Sequence, residues 1–335
     1  MNEGLYEAYA LKYGSTTTTK ASKYYRYEAY ADPDVTVQLD FYFWLVRNST
    51  RTVLIDCGFD AERASLRGYR QETHPLELLA RRGVDASQVD HVVMSHMHFD
   101  HIGNLCLFPN ATFSVGRSEF DFWTGAFADR DFLGHSGERE ETKTVVELAK
   151  DGRVRLVDDT AELFPGISVT PVRGHTPGLL ITEVATASGD LVFASDAIHF
   201  YEEMTLDRPY WVFHDLEGMY QGFQLLRDKQ ARPRTQIVAG HDPAVMAMFR
   251  TVDESCVDLT AARSMEVALR SPSTSCQPVK KPAQPGEKPL RRDISYAVNL
   301  RCAAAVFHIS TRGKARFMRI SCAVPLRRDS GIFLP

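Results

Sequence analysis

Three histidines and an aspartate fall within the six residues His96, Met97, His98, Phe99, Asp100 and His101, directly behind the apolar run 91–94. Neutral imidazole and carboxylate are the usual protein ligands of zinc-like ions. Spacings of two, two and one let a turn leaving a strand aim several of them at one cavity. The chain must therefore fold into a scaffold that presents a metal-binding turn at a strand end.

Three further ligand-type residues each follow a short β-like run. Residues 167–173 lead to Gly174-His175-Thr176-Pro177-Gly178, residues 190–195 lead to Asp196, and residues 236–240 lead to His241. Strand ends are where a rigid scaffold presents functional groups to a shared rim. Seven residues from four strand ends can then converge, and that number fits two metal ions.

The HxHxDH turn, the GHTPG loop, the Ser195-Asp196-Ala197 segment and the Gly240-His241-Asp242-Pro243 segment resemble the metallo-β-lactamase superfamily of dinuclear metallohydrolases, over about residues 9–249. The resemblance implies an αββα sandwich, with two mixed β-sheets flanked by helices. The strand and helix pattern alone supports only α/β or α+β. By the same resemblance His96, His98 and His175 hold one metal, Asp100, His101 and His241 hold the other, and Asp196 bridges them. The cofactors implied are two divalent ions, with zinc the default for this donor set.

Segments 9–13, 40–46, 55–60, 104–109, 195–203 and 208–209 look like the N-acyl homoserine lactonase branch of that superfamily. The activity this implies is quorum quenching, in which a metal-bridging hydroxide opens the homoserine lactone ring. Asp100 would orient the nucleophile and carry its proton to the leaving group. The chain departs from the branch at one point. The lactonase pattern has a tyrosine three residues after the bridging aspartate, whereas this chain has His199 there and Tyr201 two positions further on. Both are catalytic candidates, and a well-placed donor to a developing oxyanion is worth roughly 3 kcal/mol. Histidine at this place is similar to pyridoxolactonase relatives, so 4-pyridoxolactone and γ-butyrolactone types are alternative substrates. A glyoxalase II-like thioesterase would use nearly the same ligands, but no glutathione-binding C-terminal region is recognisable.

The chain has 335 residues, 44% hydrophobic and 24% charged, enough for a large core in its first ~250 residues. A net charge of -4 gives no electrostatic reason to expect nucleic acid. No apolar run approaches the ~20 residues of a membrane span, and the first residues lack a signal-peptide pattern, so the expected location is the cytoplasm. The expected partner is a small-molecule lactone, with the aromatic run Tyr24, Tyr25, Arg26, Tyr27 a candidate homodimer contact. Six cysteines without framework spacing are expected to be reduced thiols, with Cys57 and Cys106 as small core residues.

Residues 35–46 and 51–55 read as a hairpin turning at Asn48-Ser49, residues 75–82 as a helix after a proline start, and 216–226 as an amphipathic helix. Strands are expected at 91–95, 112–115, 153–157, 179–185 and 191–194. The aromatic-rich stretch 120–135 is a candidate lid over an acyl chain. His74, His91, His135, His214 and His308 read as structural or surface residues. The catalytic domain is placed at 1–252. The tail 253–335 is atypical, with 271–292 rich in Ser, Pro and Lys and expected to be disordered. It reads as an accessory extension or the product of an altered reading frame.

Overall fold

Apolar side chains on both faces of one long strand set the layer order. In the strand Thr36–Arg47, Phe41, Phe43 and Leu45 join one buried cluster, while Tyr42, Trp44 and Val46 join another. Because strand side chains alternate, a strand buried on both sides must lie between two packed layers. The structure, a computed structural model, describes residues 4–261. The expectations for residues 271–292 and for His308 lie outside the described residues.

In chain order the strands are β1 (Glu7–Thr19), β2 (Thr36–Arg47), β3 (Thr52–Ile55), β4 (His91–Val93), β5 (Thr112–Gly116), β6 (Val154–Val157) and β7 (Ala161–Phe164). They continue as β8 (Ile167–Val172), β9 (Leu179–Thr186), β10 (Gly189–Ser195), β11 (Thr235–Ala239), β12 (Arg250–Asp253) and β13 (Cys256–Asp258). One sheet runs β12-β13-β1-β2-β3-β4-β5-β6, and the other runs β11-β10-β9-β8-β7. Both are mixed: β3, β4, β5 and β6 pair in parallel and so do β10 and β11, while the other pairings are antiparallel.

The inner core between the sheets contains Trp44, Ile55 and Val93 from the first and Val169, Leu180 and Phe193 from the second. Trp44 and Phe193 meet across it edge to face, with ring centroids 5.8 Å apart. Such a pair contributes about 0.5–1.5 kcal/mol beyond its buried area. On the outer faces, Leu78 and Leu79 of helix Pro75–Arg81 and Val145 and Leu148 of helix Arg139–Lys150 join the other cluster, as do Met219, Phe223 and Leu226 of helix Leu216–Gln230. The result is the αββα sandwich expected from the sequence.

The hairpin turns where anticipated: Asn48 Oδ1 accepts from the backbone N–H groups of Thr50 and Arg51, at 2.9 Å each. The strand pair β12 and β13 carries the fold past residue 252, and β13 bonds to β1 with Val257 completely buried. Cys57 and Cys256 are buried free thiols, but Cys106 is exposed, contrary to expectation, because the single turn Leu105–Leu107 buries Leu105 instead. Tyr24 and Tyr27 are buried within the chain, leaving Tyr25 and Arg26 as the exposed members of the aromatic run. Among the described residues no helix is long and apolar enough to cross a membrane.

Candidate metal centre

All seven ligand-type residues sit at one rim of the sandwich, each just beyond a strand. The HxHxDH turn follows β4 in the first sheet, whereas His175, Asp196 and His241 follow β8, β10 and β11 in the second. Their donor atoms fall into two groups, one of His96, His98, His175 and Asp196 and one of Asp100, His101 and His241, and within each group they lie within 4.8 Å of one another. Asp196 faces both. Its Oδ1 lies 3.0 Å from His241 Nε2 and 3.5 Å from His101 Nε2, while its Oδ2 lies 3.3 Å from His175 Nε2 and 3.7 Å from His96 Nε2.

The rings are oriented from behind. His101 Nδ1 meets Asp56 Oδ2 at 2.7 Å, His175 Nδ1 meets the Val212 carbonyl at 2.9 Å, and His241 Nδ1 meets the Asp40 carbonyl at 2.8 Å. A ring nitrogen engaged this way fixes the tautomer and turns Nε2 toward the centre. Asp56 also accepts from the Ser95 N–H and Ser95 Oγ, at 2.8 Å each, and so locks the start of the turn. Asp56 and Ser195 hold positive φ angles of 61° and 46°. Non-glycine residues take such angles at a cost of about 1–3 kcal/mol, which clusters where geometry serves a site.

A second buried carboxylate joins the two ligand loops. Glu119 accepts from the N–H of Met97 (2.9 Å), between His96 and His98, and from that of Gly178 (3.1 Å), at the end of the GHTPG loop. It also accepts from Trp123 Nε1 (2.7 Å), whose ring meets His98 edge to face. The loop glycines are dictated by packing. Gly174 has φ of 131°, and a Cβ there would lie 2.6 Å from the Met219 nitrogen; one at Gly178 would lie 2.5 Å from that of Glu119.

His96 Nε2, His101 Nε2 and Asp196 Oδ1 are buried with no hydrogen-bond partner. Buried polar atoms are almost always paired, so unpaired ligand atoms in both groups fit divalent cations as their partners. Burial holds the pKa of His96 and His98 well below the usual histidine value and lowers that of His175 to about 3. These rings are neutral, the form that ligates metal.

The two groups floor a cavity of about 290 Å³ with Phe41, Tyr69 and Tyr210 among its walls. It shares His98, His135, His175, Trp211 and Val212 with a smaller recess lined by Phe122, Trp123, Leu133 and Phe213. The aromatic stretch 120–135 thus does border the site. His199 also lines the main cavity, with Nε2 3.0 Å from Asp196 Oδ2 and Nδ1 3.3 Å from Glu203 Oε1.

Tyr201 is not brought to the site. It opens the helix Tyr201–Leu206, and its hydroxyl donates to the Ile237 carbonyl at 3.1 Å beneath β11. Tyr210, which lines the cavity with Tyr69, is stacked on His199 with centroids 3.5 Å apart and planes 12° apart. Sequence reasoning missed it, as it missed Asp56, Glu119 and Glu203. Of the other histidines, His74 caps helix Pro75–Arg81 and His91 contacts Thr112 and Ser114, whereas His135 borders both cavities.

The family model described as Metallo-beta-lactamase superfamily matches residues 42–241. Among curated relatives, an N-acyl homoserine lactonase AttM of Azorhizobium caulinodans is 31% identical over 180 residues, covering 50% of this chain and 64% of its own. A probable metallo-hydrolase, Rv2300c, of Mycobacterium tuberculosis is 29% identical over 238 residues, covering 62% and 76%. The chain therefore spans just under two thirds of the length of the first of these. Among solved structures, a quorum-quenching N-acyl homoserine lactone lactonase superposes with a TM-score of 0.63 at 20% identity, over 75% of this chain and 98% of its own. A hydrolase of the beta-lactamase superfamily, AbOPH, gives 0.60 at 22% identity, over 79% and 97%. With more than half of its length matched and the His and Asp groups at the rim of the sandwich, this chain belongs to the metallo-beta-lactamase superfamily of metal-dependent hydrolases.

Proposed function

We propose that the protein is a dinuclear lactonase that opens the ring of N-acyl homoserine lactones, a quorum-quenching activity carried out in the cytoplasm. The observation that carries this reading is the placing of the two ligand groups, joined by Asp196, under a cavity of about 290 Å³ that shares lining residues with a small aromatic recess. In it His96, His98 and His175 would hold one ion and Asp100, His101 and His241 the other, with Asp196 facing both; zinc is the natural occupant for this donor set. When bound, the ions supply acidified water and a polarised carbonyl.

The chain's own groups do the rest. Asp100 Oδ2 lies 3.7 Å from His101 Nε2 and 3.8 Å from His241 Nε2, at the cavity floor, where it can orient the attacking water and pass its proton to the ring oxygen. His199 is held between Asp196 and Glu203 and backed by the Tyr210 ring, so its imidazole is fixed at the cavity wall beside the ligand groups. The same histidine supports a second reading, hydrolysis of another lactone of the 4-pyridoxolactone or γ-butyrolactone type.

The test is proton release in weak buffer by metal-loaded protein given short- and long-chain acyl homoserine lactones, γ-butyrolactone, 4-pyridoxolactone and a glutathione thioester. Preference for acyl homoserine lactones is expected. Activity on 4-pyridoxolactone alone would favour the second reading, and cleavage of the thioester alone would overturn both.

A further inference from the structure

Beside the metal ligands, the cavity holds an ammonium group that the described chain leaves without a counter-ion. Lys23 ends the short helix Lys20–Lys23, and the segment carrying it is fastened across the cavity. The Lys23 carbonyl accepts from the Trp211 N–H at 2.9 Å, Tyr24 and Tyr210 form an antiparallel bridge, and the Tyr25 N–H donates to the Pro209 carbonyl at 2.9 Å. These contacts fix the Lys23 backbone, and its side chain lines the same cavity as Asp100, Asp196 and His199. Lys23 Nζ lies 5.8 Å from the centre of the Tyr210 ring, which also stacks on His199.

Neighbouring cations are all engaged. Lys20 pairs with Glu202, and Arg208 bonds Asp32 at 2.6 Å and Glu202 at 2.9 Å. Arg67, which also lines the cavity, donates to the carbonyls of His135 and Gly137 and sits 3.6 Å from Glu138. Among the described residues Lys23 Nζ has neither a carboxylate within ion-pair distance nor a carbonyl to donate to. Burial lowers its pKa, and the charge of Asp100 opposes that shift. A half-buried, unpaired ammonium carries a desolvation cost that an anion entering the cavity would offset.

We propose that Lys23 is a specificity-determining residue that pairs with an anionic group of the substrate, so that the site prefers lactones bearing a carboxylate or phenolate, on the acyl chain in an acyl homoserine lactone, over neutral lactones of the same shape. This rests on the lactonase reading and narrows its substrate class. Nothing in the ligand turn alone would select charge; the selection comes from the segment 20–25 being docked on 209–211.

Two matched pairs test it in the metal-loaded full chain. The first is N-succinyl homoserine lactone against its terminal amide, read as kcat/KM. The second is the corresponding pair of γ-lactams, whose rings resist opening, read as Kd by calorimetry. A charge-assisted contact should favour the acid in each pair by roughly tenfold in the wild type. The ratio should fall to about one in Lys23→Met and be largely kept in Lys23→Arg. Equal affinity for the two lactams, binding of neither, or a preference that survives in Lys23→Met would overturn the proposal. If the lactam preference holds but no lactone is opened, the lactonase reading fails and Lys23 stands. If lactones are opened without regard to charge, Lys23 fails and the lactonase reading stands.

Discussion

At the scale of single residues, Glu141 shows what the fold tolerates. Its side chain is 6% exposed, both carboxylate oxygens lack hydrogen-bond partners, and burial, aided by Glu138 and only partly offset by Arg63, raises its pKa from 4.5 to about 8. Between those two values the unfolded chain is ionised while the folded chain keeps the proton. The folded state therefore binds more protons, and stability falls as pH rises through that window, by up to about 1.4 kcal/mol per pH unit, then levels off. Glu141→Gln removes the titration. The variant should match the wild type near pH 4.5 and exceed it by on the order of 2–4 kcal/mol at pH 8. Melting curves of both proteins across this range check it, and parallel curves would refute the assignment.

The seven ligand-type residues were legible because polar side chains of this kind stand out at the ends of apolar runs. Asp56 was not, because its role depends on contacts with Ser95 and His101, 39 and 45 positions away. Tyr201 was a misleading candidate for the same reason. Closeness to Asp196 in sequence says nothing of direction, and the first turn of its helix points the phenol at β11.

At the scale of elements, β1 escaped the sequence reading although it is thirteen residues long and central to its sheet. Its Ala8, Ala10 and Gly14 are weak strand formers, and its place comes from pairing with β2 and β13. β13 lies beyond the 252 boundary, and its Val257 and the following Leu259 are buried. We propose that the catalytic domain extends past 252 to include Leu259. A chain ending there should unfold cooperatively near the temperature of the full protein. One ending at residue 255 loses the β13 pairing and, among its buried side chains, Val257 and Leu259, about 3–6 kcal/mol at roughly 1.5–3 each for these two. Equal thermal stability of the two truncations would contradict this.

At the scale of the whole molecule, the site is a joint between the two sheets: the first supplies the HxHxDH turn and the second supplies His175, Asp196 and His241. The αββα order was foreseen from the motifs that carry the resemblance, since periodicity fixes elements but not which layers face each other. Glu119 is part of the same joint, tying the loops that hold His98 and His175. The most direct test is therefore a zinc titration of chelator-stripped protein while ring opening of N-hexanoyl homoserine lactone is followed. The stripped chain should be inactive, with turnover rising to a plateau at two ions per chain. Full activity in the stripped protein, or a plateau at a single ion, would contradict a dinuclear centre built on Asp196.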